Sequence, residues 1–247
     1  MTTYENLTIT DGDAFYAMLD DVAEFKECNF DGADFRNIET DSLLVDNCTL
    51  IRADLTNLIC PGMRLTNSVA ESAILERIEA HEAEITGSNL TSARLRGAQL
   101  NLSRITDSDL SGADMFEANL FGVDLTGSRL RGVDLASARL DGVKIERTDF
   151  SLASLRGHSF KGQKLESINF TEADLGGCDF TDAVFVDCHL TGVFVDDQTK
   201  FDGADLRGAV ISGSHLVRAR LNGAIMLPAQ VNTLVFDGFG IVVFDES

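Results

Sequence analysis

Every fifth residue from Ile85 to Val195 is large and apolar. The series runs Ile85, Leu90, Leu95, Leu100, Ile105, Leu110, Met115, Leu120, Leu125, Leu130, Leu135, Leu140, Ile145, Phe150, Leu155, Phe160, Leu165, Phe170, Leu175, Phe180, Phe185, Leu190, Val195. Two residues before each stands a smaller residue, such as Ala93, Ala98, Ser103, Ser108, Ala113, Ala118, Val123 or Ser128. A period of five fits neither a helix, at about 3.6, nor a strand, at 2. A fixed longer period marks a stacked array, in which each unit buries its inward side chains only against the next coil.

The exceptions carry a second period. Thr40, Cys60 and Ala80 fall in the large slot, while Ile38, Leu58 and Ile78 fall in the small one. They recur at twenty residues, or four units, so a four-sided coil follows without reference to any relative. The exchange of large and small predicts a distorted wall between residues 36 and 82. Phe150 is set to stack on Phe170, and Phe160 on Phe180, as ladders filling a wider core. After Val195 the large residues are Phe201, Leu206, Ile211, Leu216, Leu221 and Met226, so the stretch 196–200 holds one extra residue.

The units, among them Ser-Gly-Ala-Asp-Met at 111–115 and Arg-Gly-Val-Asp-Leu at 131–135, resemble those of the pentapeptide-repeat family. That resemblance implies an all-β fold, a right-handed quadrilateral parallel β-helix, over residues 25–226. Residues 1–24 are expected to form an N-terminal cap. Within it Phe15, Met18, Leu19 and Val22 lie on one face of a helix at 12–22 capped by Asp11 or Asp13. Residues 227–247 are expected to form a C-terminal module. There Pro228 opens a short helix with Val231, Leu234 and Val235, and Gly240-Ile241-Val242-Val243-Phe244 reads as a strand.

That ending is similar to the C-terminal module of the quinolone-resistance subgroup, the Qnr and MfpA proteins. The resemblance implies tail-to-tail homodimers, here through Val231, Leu234, Val235, Phe239, Ile241 and Val243. It also implies a DNA-mimicking protein that binds DNA gyrase or another type II topoisomerase, inhibiting it or protecting it from quinolones or a natural poison. The absence of long inserted loops within the regular part makes the chain more like the MfpA type. The alternative is an interaction or scaffold protein of the same family with a non-topoisomerase partner.

Charge bears on the partner. The chain has 40 Asp and Glu against 20 Lys and Arg, a net charge of −20. Direct binding to nucleic acid is disfavoured, because phosphate contacts require cations. With about forty units and coils ~4.8 Å apart, the expected rod is roughly 50 Å long. Duplex DNA carries about 30 charges over that length. Asp34, Asp54, Asp114, Asp134 and Asp174 share one face and are the candidate acidic surface for a basic partner. Phe116 and Phe121 occupy outward slots and are candidate apolar contacts, as are Leu152, Val184, Val186 and Phe194.

Nothing in the sequence assembles a catalytic constellation, so no enzyme and no cofactor are expected. His81, His158, His189 and His215 are scattered, and His158 falls in an inward slot. The five cysteines lack zinc spacing and read as reduced core residues. Cys28 and Cys48 lie one coil apart, which leaves a disulfide open. No apolar run reaches the ~18–20 residues of a membrane span, and the N-terminus lacks signal-peptide features. A cytoplasmic protein is expected.

Overall fold

The computed structural model describes residues 2–19 and 23–234. The fold is a parallel β-solenoid, and the chain divides into two compact units. The first comprises Met1–Val133 and Ser137–Lys144; the second comprises Asp134–Ala136 and Ile145–Ser247.

In the first unit one wall is a six-stranded parallel sheet. Its strands are β1 (Thr2–Glu5), β2 (Ala23–Lys26), β3 (Leu43–Asp46), β4 (Arg64–Thr66), β5 (Glu84–Thr86) and β6 (Arg104–Thr106), in that order. From β2 onward each residue pairs with the one twenty ahead, as in Phe25 with Val45 and Ile85 with Ile105. Single bridges at the same offset form the other three walls. Examples are Asn89 with Asp109, Arg94 with Asp114, and Glu79 with Gln99. Four walls of five residues account for the twenty.

The local chemistry explains the turn at each corner. A bridging residue presents its amide and carbonyl to neighbouring coils, while the residues on either side point inward and are buried. Two residues past most of the large side chains the backbone takes a left-handed conformation, as at Gly112 (φ 67) and Asn67 (φ 50). Glycine and asparagine adopt that conformation at least cost.

The walls stay regular where large and small residues exchange. Glu39, Ile59, Glu79 and Gln99 bridge in unbroken twenty-residue register, and Leu58, Cys60, Ile78 and Ala80 are fully buried. The expected distortion of residues 36–82 is therefore absent. A bulky residue in the narrow slot beside a small one in the wide slot conserves volume, so the backbone has no reason to move.

The first end differs from the sequence expectation. Strand pairing already starts at Thr2, which pairs with Ala23, and Thr8 bridges to Asn29. Helix α1 (Gly12–Tyr16) is shorter than the 12–22 expected, and Val22 lies outside the described residues. Asp11 caps it by accepting from the Asp13 amide at 3.1 Å. Its contribution is one side chain: Phe15 is buried among Phe25, Phe30 and Phe35, with ring centroids 5.2, 5.7 and 4.1 Å away. Met18 and Leu19 are only half-buried.

In the second unit β7 (Lys164–Glu166), β8 (Val184–His189) and β9 (Asp205–Val210) form a parallel sheet. Near-parallel phenylalanine ladders fill its core. Phe150 lies 5.9 Å from Phe170, Phe160 lies 5.2 Å from Phe180, and Phe180 lies 4.9 Å from Phe201. Asp174 bridges to Phe194 at an offset of twenty, but Asp179 bridges to Lys200 at twenty-one. The extra residue is absorbed around Asp196. Its Oδ1 accepts from the amides of Gly177 (2.8 Å) and Gln198 (3.1 Å). The register change turns Lys200 outward to Asp179 and buries Phe201.

Helix α2 (Pro228–Val231) follows the last bridges, with Leu227 at its N-cap and Pro228 in its first turn. Leu234 is buried by its own chain and Val231 is half-buried. Leu234 is thus committed to the fold rather than free for a second copy. Val235, Phe239, Ile241, Val243 and the expected strand at 240–244 lie outside the described residues.

Candidate partner-binding surface

Asp34, Asp54 and Asp114 lie in one bridged column of the first unit, and Asp134 and Asp174 in one of the second, but neither column is acidic throughout. In the first unit the bridging order is Asp34, Asp54, Ile74, Arg94, Asp114; in the second it is Asp134, Ser154, Asp174, Phe194. Arginines also compensate most of them. Arg36 grips Asp34 through two nitrogens, at 2.6 and 2.8 Å, and reaches Asp54 at 3.8 Å. Arg96 meets Asp114 at 3.2 Å, and Arg156 meets Asp174 at 3.0 Å and Asp196 at 2.8 Å. Asp134 accepts from the Ala136 amide at 3.0 Å. The Arg36 side chain and amide hold the Asp34 carboxyl down at about 2. These partners sit two or eighteen residues away, offsets that point to the same wall.

Uncompensated charge lies elsewhere. Residues 1–92 hold eighteen Asp or Glu against five Lys or Arg. The rest of the first unit holds six acids against seven bases. Of the carboxylates in 1–92, Glu24, Asp34, Asp54, Glu76 and Glu84 have ion pairs. Glu39, Asp41, Glu79 and Glu82 have none among the described residues, and all four are exposed. They share one wall or its edge: Glu39 and Glu79 both bridge to Ile59, two coils apart or ~10 Å at the usual strand spacing. Sequence reading missed this group. The signal was the twenty-residue column in which Glu39 and Glu79 recur; the nearby Arg77, two residues before Glu79, donates instead to Asn57 Oδ1 at 3.1 Å.

Phe116 and Phe121 are 41% and 37% exposed, but neither ring is bare. The Arg96 guanidinium lies 4.6 Å from the Phe116 centroid, and that of Arg139 lies 4.5 Å from Phe121. Leu102, which sequence reading passed over, is 52% exposed in the left-handed conformation (φ 62). Phe194 stacks on His215 with centroids 6.2 Å apart. Val184 and Leu152 are exposed, and Val186 is half-buried.

The inward polar groups are built for packing. His158 is half-buried, and its Nε2 lies 2.8 Å from the Leu135 carbonyl oxygen. All five cysteines are free and buried, including Cys28 and Cys48. Burial pushes the Cys60 and Cys178 thiols up to about 12, so both stay protonated and poorly nucleophilic at neutral pH. Among the described residues no His, Cys, Asp and Glu group is arranged to hold a metal, and no helix is long and apolar enough to cross a membrane.

Comparison with curated proteins gives no match. Several solved structures are similar. HetL, a pentapeptide-repeat protein involved in heterocyst differentiation regulation in the cyanobacterium Nostoc sp. strain PCC 7120, is 23% identical. That alignment covers 91% of this chain and 86% of HetL, with a TM-score of 0.26. Rfr23 from the cyanobacterium Cyanothece 51142 is 31% identical over 40% of this chain and 62% of its own, with a TM-score of 0.30. QnrB1, a plasmid-mediated fluoroquinolone resistance protein, is 14% identical over 94% of this chain and 97% of its own, with a TM-score of 0.40. At these TM-scores the superpositions carry no functional argument. The family described as pentapeptide repeats matches in eight copies, over residues 83–120, 118–157, 160–196 and 197–226, more than half of the sequence. The chain belongs to the pentapeptide-repeat family.

Proposed function

We propose that this chain is a non-catalytic binding protein whose acidic coils occupy a basic, DNA-contacting surface of another protein. The target proposed is DNA gyrase or another type II topoisomerase. The observation that carries the reading is the excess of thirteen negative charges in residues 1–92, much of it on carboxylates without a cationic neighbour. Carboxylates there stand in for phosphates, and the groove supplies Lys and Arg. Association of this kind is steered by charge and weakens with salt. Asp34, Asp54, Asp114 and Asp174 contribute less than Glu39, Asp41, Glu79 and Glu82, because their arginines must first be displaced, while Asp134 has no arginine partner among the described residues and accepts only from the Ala136 amide. Pairing of two copies through residues 227–247 belongs to the same proposal, with Val231 and the residues beyond Leu234 as its contacts.

A second reading has its own support. The near-neutral remainder of the first unit suits a partner that engages a limited acidic patch, and so a family member with a non-topoisomerase target. A gyrase supercoiling assay separates the two. The purified chain is titrated in at two salt concentrations, with and without ciprofloxacin. Salt-sensitive inhibition or drug rescue, weakened when Glu39, Asp41, Glu79 and Glu82 become amides, supports the topoisomerase reading. No effect from the folded protein in large molar excess removes it.

A further inference from the structure

The wall built on β7, β8 and β9 presents two outward residues per coil, and they alternate in kind. The first coil carries Lys164 and Glu166, and the next carries Val184 and Val186. The third carries Asp205 and Arg207, and the fourth carries Ile225 and Leu227. Lys164 meets Glu166 at 2.6 Å, and Arg207 meets Asp205 at 2.6 Å. Val184, Ile225 and Leu227 are exposed, and Val186 is half-buried. Two cations and two anions leave these four rows without net charge on a chain of net charge −20. A basic partner therefore gains nothing here from charge, while the apolar rows remain uncovered among the described residues.

We propose that this wall packs face to face on the same wall of a second copy, about a two-fold axis along the direction in which its coils stack. Such an axis exchanges the two positions of every row, so each row meets itself reversed. Lys164 then faces Glu166 of the second copy, and Asp205 faces its Arg207. Val184 faces Val186, and Ile225 faces Leu227. Both ion pairs within each chain persist, so every charge gains an opposite neighbour and none loses the one it has. Stacked β-walls lie ~10 Å apart, a gap that aliphatic side chains from the two sides fill. Two features keep the pairing weak. Four coils span only ~15 Å, well below the area of a permanent interface. At the corners flanking the valine row, exposed Asp182 of one copy faces exposed Asp187 of the other. This is a second self-pairing surface beside the one proposed at residues 227–247, shares only Leu227 with it, and does not depend on the basic-partner reading.

The test is sedimentation equilibrium of the whole chain at about 0.15 M salt, where charges more than ~8 Å apart are screened. The average mass is expected to double between about 1 μM and about 1 mM protein, the range a weak pair crosses. Lys164→Glu sets a glutamate against Glu166 of the second copy and is expected to weaken this association at least about tenfold. Adding Glu166→Lys to that variant restores opposite charges in reversed order and is expected to restore the parental association. Under an axis across the coils residue 164 would instead face Asp205 of the second copy, and the double variant would stay weak. Val184→Ser, which thins the apolar row, is expected to weaken association too. Each variant is checked for a retained thermal midpoint. A parental mass that does not change with concentration overturns the pairing and leaves the wall to a different occupant. A doubling that survives both Lys164→Glu and Val184→Ser also overturns it and assigns self-association to another surface, residues 227–247 first. A double variant no tighter than Lys164→Glu alone overturns the two-fold arrangement.

Discussion

The backbone N–H of Ser88 donates to Oγ of Ser108, one coil ahead, at 3.1 Å. This is one rung of a buried ladder. Cys28 donates to Cys48 Sγ, Cys48 to Ser68 Oγ, Ser68 to Ser88 Oγ, and Ser108 to Ser128 Oγ, at 3.0 to 3.2 Å. Elsewhere the small inward residue turns its amide to the carbonyl three residues back, as Ala93 does to Leu90 at 3.0 Å. After β2 to β6 the corner lacks that turn bond, so the amide needs a side-chain acceptor from the next coil. The ladder ends at Ser128, whose own amide reaches Leu125 at 3.0 Å. Replacing Ser108 by Ala strands a buried donor and should cost about 1–3 kcal/mol. Ser108→Cys, which follows the chain's own usage at Cys48, should cost less. Urea unfolding together with amide exchange at Ser88 checks this. Unchanged exchange at Ser88 in the alanine variant would refute the ladder.

Asp34 supplies a pH test. Its carboxyl, gripped by Arg36, is held near 2 rather than 3.8. A carboxylate whose folded value is depressed stabilises the fold above its unfolded value and loses that contribution as pH falls toward the folded one. The window therefore lies between about pH 4 and pH 2. The pair is about half-exposed, so the effect on stability is small and shrinks with salt. Titration followed by NMR should show Asp34 returning toward an ordinary carboxylate value in Arg36→Gln. A titration unmoved by that change would show that the grip is not formed in solution.

These two results mark what was legible in the sequence. The five-residue period named the inward residues, and the step after Val195 placed Phe201 in the core, because burial repeats along the chain wherever backbone geometry repeats. Compensation of Asp34, Asp114 and Asp174 was hidden, because it depends on how far an arginine reaches. Yet Arg96 to Asp114 and Arg156 to Asp174 are both eighteen apart, an offset that a four-sided coil makes adjacent. Helix α1 was overread for a different reason. Phe15, Met18, Leu19 and Val22 have helical spacing, but β2 begins at Ala23 and draws the chain into the wall. Periodicity registers apolar spacing and is blind to that competition.

Corner conformation gives a pair of opposite outcomes in the second unit. Leu152 is exposed and left-handed, with φ of 60°. Leu152→Gly or Leu152→Asn should stabilise by about 1 kcal/mol, the cost of holding an ordinary L-residue there. Gly208 in β9 behaves in the reverse way. A Cβ added to it would fall on the Phe185 carbonyl oxygen, a backbone atom held in the sheet. Gly208→Ala should therefore lower the thermal midpoint while Leu152→Asn raises it. Equal shifts for both would show that neither backbone constraint is felt.

Gln230 ties the end of the described chain to the last coils. Its Oε1 accepts from the Leu227 amide at 2.6 Å, and its Nε2 donates to the carbonyls of Leu206 and Ala209 at 2.8 and 2.6 Å. One side chain thus caps α2 and anchors it to β9, in a helix of four residues that is too short to persist alone. Gln230→Ala removes all three bonds and leaves the two carbonyls to water or unsatisfied. Glu at this position keeps the acceptor for Leu227 but sets a carboxylate against two carbonyl oxygens, so it should be as damaging or worse. Both variants should become sensitive to limited proteolysis between Leu227 and Leu234, while protection at Phe160, Phe180 and Phe201 is retained, because stacked repeats lose terminal elements without losing the interior. A protease pattern identical to that of the parent chain would show that burial of Leu234, and not the Gln230 bonds, holds α2 in place.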